Sequence, residues 1–196
     1  VKVMLLCNPH NPAGRVWTRE ELIQIGEICL RHNVTVVSDE IHCELTYPGH
    51  AYTPFASLPE TFTGHAVTCI SPSKAFNIAG LQIANIVAPD EDMHRRIDKA
   101  ININEVCDVN PFGVIATIAA YRKGEDWLDQ LLAYLQGNYR YMKEFCTEHL
   151  PDFPICKLEG TYLVWMDCRT LATPSAELEH RLTREALLWL NAGAMY

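Results

Sequence analysis

Two short apolar strands separated by one amphipathic helix constrain the fold of this chain more than any other feature. The first apolar run covers residues 2–7 and is stopped by Pro9. Thr18 and Glu21 form a capping-box pattern that begins a helix, and a second, β-branched run covers residues 34–38. A strand, a helix and a strand at this spacing predict a right-handed βαβ unit with parallel strands, and therefore an α/β fold.

Polar residues follow the carboxyl ends of three predicted strands. Asn11 comes after the first strand, Asp39 ends the second, and Lys74 comes just after a third at residues 66–70. Open α/β sheets bind ligands at this end of their strands, so we expect the three side chains to lie near one another. A lysine there can form a Schiff base with an aldehyde cofactor. An amine, a carboxylate and an amide are the groups needed to hold pyridoxal phosphate (PLP).

The sequence around these residues resembles a known family. The three motifs are Asn8–Gly14 (NPHNPAG), Ser38–His42 (SDEIH) and Ser71–Lys74 (SPSK), in that order and with family-like gaps. They resemble the fold-type I PLP enzymes of aminotransferase class I/II. Within that class the chain is similar to the cystathionine β-lyase-like C–S lyases of the MalY/PatB branch. That closer similarity rests on residues 38–45, 47–50, 54–57 and 76–81.

The resemblance implies a role for each candidate site residue. Lys74 would carry PLP as a Schiff base and then act as the base that removes the α-proton of an amino-acid substrate. Asp39 would lie against the pyridine nitrogen, and Asn11 would donate a hydrogen bond to the 3′-oxygen of PLP. His42 stands where many aminotransferases have a tyrosine near that oxygen, a departure typical of the C–S lyase branch.

The resemblance assigns the cofactor phosphate to the hydroxyl groups of Ser71 and Ser73. Many aminotransferases have an arginine eight residues after the lysine, and Gln82 occupies that position here. The phosphate would therefore depend more on hydroxyl and backbone N–H groups.

Each candidate also has a purely structural interpretation. Lys74 could be a surface lysine, Asn11 a turn residue before proline, and His42 a hydrogen-bonded structural histidine. Three further residues could lie near the substrate, although packing or helix capping explains them more simply. They are Asn110, Tyr162 and Trp165.

Composition and charge exclude several classes of protein. The chain is 48% apolar and 20% charged, which is typical of a globular protein. A net charge of −8 argues against nucleic-acid or anionic-membrane partners. No apolar run approaches the ~18 residues of a membrane span, and no signal peptide is visible. The eight cysteines form no CxxC pair, so we expect reduced thiols, no metal site and a cytoplasmic protein.

The 196 residues are predicted to form one domain and part of a second. Residues 1–150 would be part of a large PLP-binding domain with a mostly parallel sheet flanked by helices and a long connecting helix. Residues 151–196 would begin a smaller C-terminal α+β domain, since Pro151 follows the long helix. Val1 enters a strand at once, so we expect the chain to start within a domain. The resemblance implies that the chain is the middle-to-late part of a longer enzyme and is incomplete as a catalyst.

Further elements are predicted on both sides of the long helix. Asp90, Asn110 and Asp126 are each placed to cap a helix, and the third of these helices is the long one. The other predicted elements are strands at residues 82–88 and 161–165 and a helix at residues 173–190.

Three functions remain open from the sequence. The first is PLP-dependent β-elimination on a sulfur amino acid, which gives pyruvate, ammonia and a thiol. The second is transfer of an amino group to a 2-oxo acid, and the segment around His42 favours the lyase. The third is an inactive fragment or a regulatory binding protein, and the intact set of Asn11, Asp39 and Lys74 argues against the regulatory protein alone. A homodimer is implied by the resemblance alone.

Overall fold

A four-stranded sheet organises the chain, which is described over residues 1–196 by a computed structural model. The strands lie in the order β1-β2-β3-β4; the first three are parallel and β4 is antiparallel to β3. Their bounds are β1 (Val3–Cys7), β2 (Thr35–Asp39), β3 (Ala66–Ile70) and β4 (Asn85–Val87). The mostly parallel α/β sheet predicted from the sequence is therefore confirmed.

Six α-helices flank or follow the sheet. They are α1 (Arg19–Arg31), α2 (Glu60–Thr63), α3 (Glu91–Ile103), α4 (Pro111–Lys123), α5 (Glu125–His149) and α6 (Ser175–Glu185). None of these helices combines the length and the apolar character that crossing a membrane would need.

The main core lies between the sheet and α1. Leu6 of β1 and Val36 of β2 pack with Leu22 of α1, and the cluster continues into the loop after β2 through Phe55 and Leu58. This core fixes the end of the sheet from which the candidate site residues emerge.

A capping box begins α1, as the sequence predicts. The Thr18 hydroxyl accepts a hydrogen bond from the Glu21 backbone N–H at 3.3 Å, and the Glu21 carboxylate accepts one from the Thr18 backbone N–H at 3.0 Å. These bonds satisfy two backbone donors that the first turn would otherwise leave unpaired.

Replacing Thr18 with alanine is expected to lower the free energy of unfolding by about 1 kcal/mol, because the N-cap acceptor is lost. Urea unfolding measures this change. Thr147→Ala is the matched control, since the Thr147 hydroxyl only donates back to the Lys143 carbonyl oxygen inside α5. Equal losses in the two variants would show that the capping box contributes nothing.

Several boundaries differ from the sequence prediction. The strand predicted at residues 82–88 is only β4, because a 3-10 turn at Ala79–Leu81 precedes it and Gln82 has a φ of 51°. The strand predicted at 161–165 is absent. Thr161 has a φ of 67°, which is incompatible with an extended strand, and isolated bridges join Thr46 to Gly160 and Ile155 to Met166.

The long helix α5 is confirmed, but its start is not the predicted one. Gly124 occupies the N-cap position, and Asp126 lies in the first turn, where a carboxylate favours the positive end of the helix dipole. Asn110 does cap α4, and the last helix ends at Glu185 rather than at residue 190. The division of the chain near residue 150 stays a prediction.

Candidate active site

The carboxyl edge of the sheet places Asp39 at the centre of a row of three residues. Cys7 of β1 and Cys69 of β3 are its register partners on the two sides. The Asp39 carboxylate accepts a hydrogen bond from the Ile41 backbone N–H at 3.2 Å and forms no ion pair. Asp39 is exposed, so its second oxygen is free to bind a ligand.

Lys74 lies in a cleft of about 340 Å³ between the turn after β3 and helix α5. The polar side of the cleft includes Ser73 and Asn77, and Tyr162 lies at its margin. The α5 wall is apolar and is formed by Trp127, Leu131 and Leu135. Lys74 is half-buried and has no carboxylate within ion-pair distance, so its amine is available for chemistry.

His42 is buried beside the cleft that holds Lys74. Its side chain is only 2% exposed, and its ring meets Tyr162 edge-on with centroids 5.8 Å apart. Burial lowers the pKa of His42, the Lys74 charge lowers it further, and the Asp39 charge partly opposes them. Tyr162 also lines the Lys74 cleft, and Asp39 precedes His42 by three residues at the end of β2.

The lowered pKa of His42 predicts a pH dependence of stability. Below about pH 6.5, the ordinary histidine value, the unfolded chain takes up a proton that the folded chain resists. This contribution to stability is therefore complete above that pH and is lost as the pH falls through the lower folded-state pKa. We expect His42→Gln to flatten the dependence of unfolding free energy on pH in this window, measured by urea titration.

The matched control for this experiment is His94→Gln, which makes the same change at an exposed position on α3. An unchanged slope in His42→Gln would contradict the assignment of a buried, neutral imidazole to the site.

Ser71 and Ser73 are buried in the turn before Lys74, and their hydroxyl groups contact one another at 2.5 Å. The Ser71 hydroxyl donates to the Ile83 carbonyl oxygen at 2.6 Å and accepts from the Ser73 backbone N–H at 3.2 Å. Its single proton is therefore already used within the turn. Because Ser71 donates to Ile83, the Ser73 hydroxyl is the donor in the contact with Ser71 and would have to turn away from it to bind a phosphate. Ser73 lines the cleft and Ser71 does not, which leaves Ser73 the better candidate.

Asn11 lies in the turn that follows β1. Its backbone N–H donates to the Cys7 sulfur at 3.3 Å, and Cys7 is the register partner of Asp39. The Asn11 side chain is exposed and makes no hydrogen bond within the chain. The structure thus brings Asn11 to the same edge of the sheet as Asp39.

Of the three further residues that the sequence suggested near the substrate, two lie outside the cleft and one lines it. Asn110 caps α4 by accepting from the Phe112 backbone N–H at 3.0 Å, and Trp165 packs edge-on against Tyr196. Tyr162 alone lines the cleft.

The apolar wall of the cleft was not identified as part of a site from the sequence. Leu131 and Leu135 belong to an apolar stripe along α5, a pattern that is typical of a packing face. Trp127 stacks on Phe76, two residues after Lys74, with ring centroids 5.8 Å apart. The local sequence pattern does not predict that Trp127 contacts Phe76, because the two residues belong to separate elements.

Comparison with known proteins defines the family of this chain. The family model for aminotransferase class I and II matches residues 1–193. The chain therefore belongs to the aminotransferase class I and II family, in agreement with the fold and with the resemblance found in the sequence.

Two similar proteins match this chain over its whole length, and one of them is named as a lyase. Cystathionine beta-lyase PatB of Bacillus subtilis is 43% identical over 196 residues, which are all of this chain and 51% of PatB. Protein MalY of Escherichia coli is 31% identical over 196 residues, which are 50% of MalY. The chain thus spans about half the length of these relatives.

Solved structures share the fold closely. Cystalysin from Treponema denticola, which contains a pyridoxal 5′-phosphate cofactor, has a TM-score of 0.93 and 34% identity over 97% of this chain and 48% of that protein. The PLP-bound C–S lyase from Staphylococcus hominis has a TM-score of 0.89 and 34% identity over 100% of this chain and 51% of that protein. The architecture is that of PLP-dependent fold-type I enzymes.

Proposed function

We propose that this chain is part of a PLP-dependent carbon–sulfur β-lyase that acts on a sulfur amino acid. The observation that carries the proposal is the buried, unpartnered imidazole of His42, which packs on Tyr162 of the Lys74 cleft and follows Asp39 by three residues. Neither the amine nor the carboxylate is used in an ion pair. The names of PatB and of the Staphylococcus hominis C–S lyase support the same class of reaction.

The residues present fit PLP. The buried Nδ1 of His42 has no hydrogen-bond partner within the chain, which is costly unless a ligand supplies one. When bound, PLP supplies an electron sink for the electrons released at the substrate α-carbon. Asp39 would hold a proton on the pyridine nitrogen, and Asn11 and His42 would bind the 3′-oxygen. Ser73 would bind the phosphate, with Ser71 positioning it.

The chain's own residues account for the proton movement in the elimination. Lys74 would take the proton from the substrate α-carbon as its C–H bond breaks. The bond between Cβ and sulfur then breaks, and the thiolate leaves with its electron pair. Water releases the remaining fragment as pyruvate and ammonia. General base catalysis of this kind needs the amine within reach of the α-proton, and the free position of Lys74 in the cleft is compatible with this.

Transamination is the second candidate, because it needs the same lysine and the same carboxylate. Aspartate aminotransferase of Geobacillus stearothermophilus is 28% identical over 173 residues, against 43% for PatB. The sequence from Ser38 to His42 also favours the lyase.

A product assay separates these functions. The chain, supplied with PLP, would be incubated with cystathionine in the presence and in the absence of a 2-oxo acid. Pyruvate and thiol in equal amounts without the 2-oxo acid would support the lyase. Product formation only with the 2-oxo acid would show an aminotransferase. Bound PLP without any turnover would indicate an inactive or regulatory protein.

We further propose a cytoplasmic homodimer. All eight cysteines are free thiols, which is typical of a reducing compartment. Large apolar side chains are exposed near the C-terminus, including Leu187 and Trp189, and a second subunit would shield such a surface.

A further inference from the structure

We propose that Asn8 and Glu40 are positioning residues that fix Asp39 at the end of β2 by clasping the loop Tyr52–Phe55. The inference rests on the proposed function, in which Asp39 meets the pyridine ring of PLP. The Asn8–Glu40 clasp denotes these two side chains and their bonds to that loop.

The backbone on either side of Asp39 is held by both neighbouring strands. The Asn8 backbone N–H donates to the Asp39 carbonyl oxygen at 3.0 Å. The Glu40 backbone N–H donates to the Cys69 carbonyl oxygen at 2.8 Å. The two residues that make these bonds are those whose side chains form the clasp. Any displacement of Asn8 or Glu40 is therefore transmitted directly to the peptide groups that orient the Asp39 side chain.

The side chains of Asn8 and Glu40 bind the same short loop, and both are fully buried. Asn8 Nδ2 donates to the Thr53 carbonyl oxygen at 3.2 Å. Glu40 Oε1 accepts from the Phe55 backbone N–H at 2.9 Å, and Glu40 Oε2 accepts from the Tyr52 hydroxyl. Phe55 is itself 0% exposed in the main core, so the loop is anchored to rigid structure.

The buried, hydrogen-bonded carboxylate of Glu40 stabilises the clasp. Adjacent residues at a strand end point to opposite sides, so Glu40 faces the interior while Asp39 faces the solvent edge. The buried carboxylate has no cationic partner and is satisfied by donors alone, namely the Ser38 hydroxyl at 2.8 Å and the two loop donors. Burial and the bond to Glu40 raise the pKa of Tyr52, so its hydroxyl remains a donor throughout the neutral range.

Tyr52→Phe removes one donor from the clasp with almost no change in volume. We expect amide hydrogen exchange at the Asn8 and Glu40 N–H groups to accelerate by about tenfold, and the affinity for added PLP to fall by about tenfold, as for one lost buried hydrogen bond. Ser57→Ala is the matched control. It removes a 2.7 Å hydrogen bond to the Pro54 carbonyl oxygen from the same stretch of chain without touching the clasp.

Two substitutions at Glu40 distinguish loss of the clasp from a general folding defect. The Glu40→Gln amide oxygen can still accept from the Phe55 N–H, and the Tyr52 oxygen can accept from the new amide N–H. Affinity for PLP is therefore expected to stay within about threefold of the original in Glu40→Gln and to fall well below that in Glu40→Ala. Equal losses in the two variants would contradict the clasp.

The outcomes separate this inference from the proposed function. Unchanged amide exchange in Tyr52→Phe would overturn the clasp, as would faster exchange with unchanged PLP affinity. If the unmodified chain takes up no PLP, the proposed function fails and the cofactor part of the inference fails with it. The exchange data would still show whether the clasp fixes the backbone around Asp39.

Discussion

Replacing Lys74 with alanine is expected to slow β-elimination by about 10³-fold or more, the loss typical for removal of a general base together with a covalent anchor. The physical reason is the position of the amine. Lys74 is half-buried in the cleft and is not neutralised by a carboxylate. The measurement is the rate of pyruvate release from cystathionine by the chain supplied with PLP.

The control is Lys99→Ala, which removes an exposed lysine on α3 that does not line the cleft. We expect its rate to equal that of the original chain. A Lys74→Ala variant that retains more than about a tenth of the rate would place the general base elsewhere, because loss of a catalytic base costs at least ~10²-fold.

Replacing Phe55 with alanine is expected to lower the free energy of unfolding by about 3–5 kcal/mol. Phe55 is 0% exposed and belongs to the main core with Leu6, Leu22 and Val36, so the shorter side chain leaves a cavity between the sheet and α1. This loss is a large part of the ~5–15 kcal/mol that stabilises a typical domain. Urea unfolding followed by circular dichroism gives the value.

Phe112→Ala is the matched control for the core substitution. Phe112 is 71% exposed on α4, and a surface substitution of this kind changes stability by only about 0.5 kcal/mol. Similar losses at Phe55 and Phe112 would contradict the assignment of the main core to the face of the sheet that packs on α1.

The βαβ unit could be predicted from the sequence because its signals are local. The Thr18–Glu21 capping box and the apolar runs on either side are each read within a few residues, and the structure confirms the elements within one or two positions. The expectation that Asp39 and Lys74 lie at one edge of the sheet followed from a general rule about the carboxyl ends of parallel strands, and the parallel order of β1, β2 and β3 agrees with it.

Other parts of the fold could not be predicted because they depend on distant contacts. The run at 161–165 has strand-like composition, but Thr161 takes a left-handed backbone, and its N–H donates to the Leu45 carbonyl oxygen. The partners of Glu40 lie up to 15 residues away in a loop whose path the sequence does not specify.

The candidate site, too, was predicted only where its signals are local. Lys74, Asp39 and His42 were predicted from motifs, and the structure packs His42 against Tyr162, which lines the Lys74 cleft. The sequence did not indicate that the Ser71 hydroxyl is used by the Ile83 carbonyl oxygen, because that bond joins the turn to the approach of β4. The roles of the site residues towards PLP stay predictions.

The most direct test of the central claim is borohydride reduction of the chain mixed with PLP, followed by peptide mapping by mass spectrometry. The account predicts one pyridoxyl group per chain, attached to the Nζ of Lys74, and none in the Lys74→Ala variant. Labelling spread over exposed lysines such as Lys99 and Lys143, with Lys74 no more modified than the others, would contradict the cofactor site.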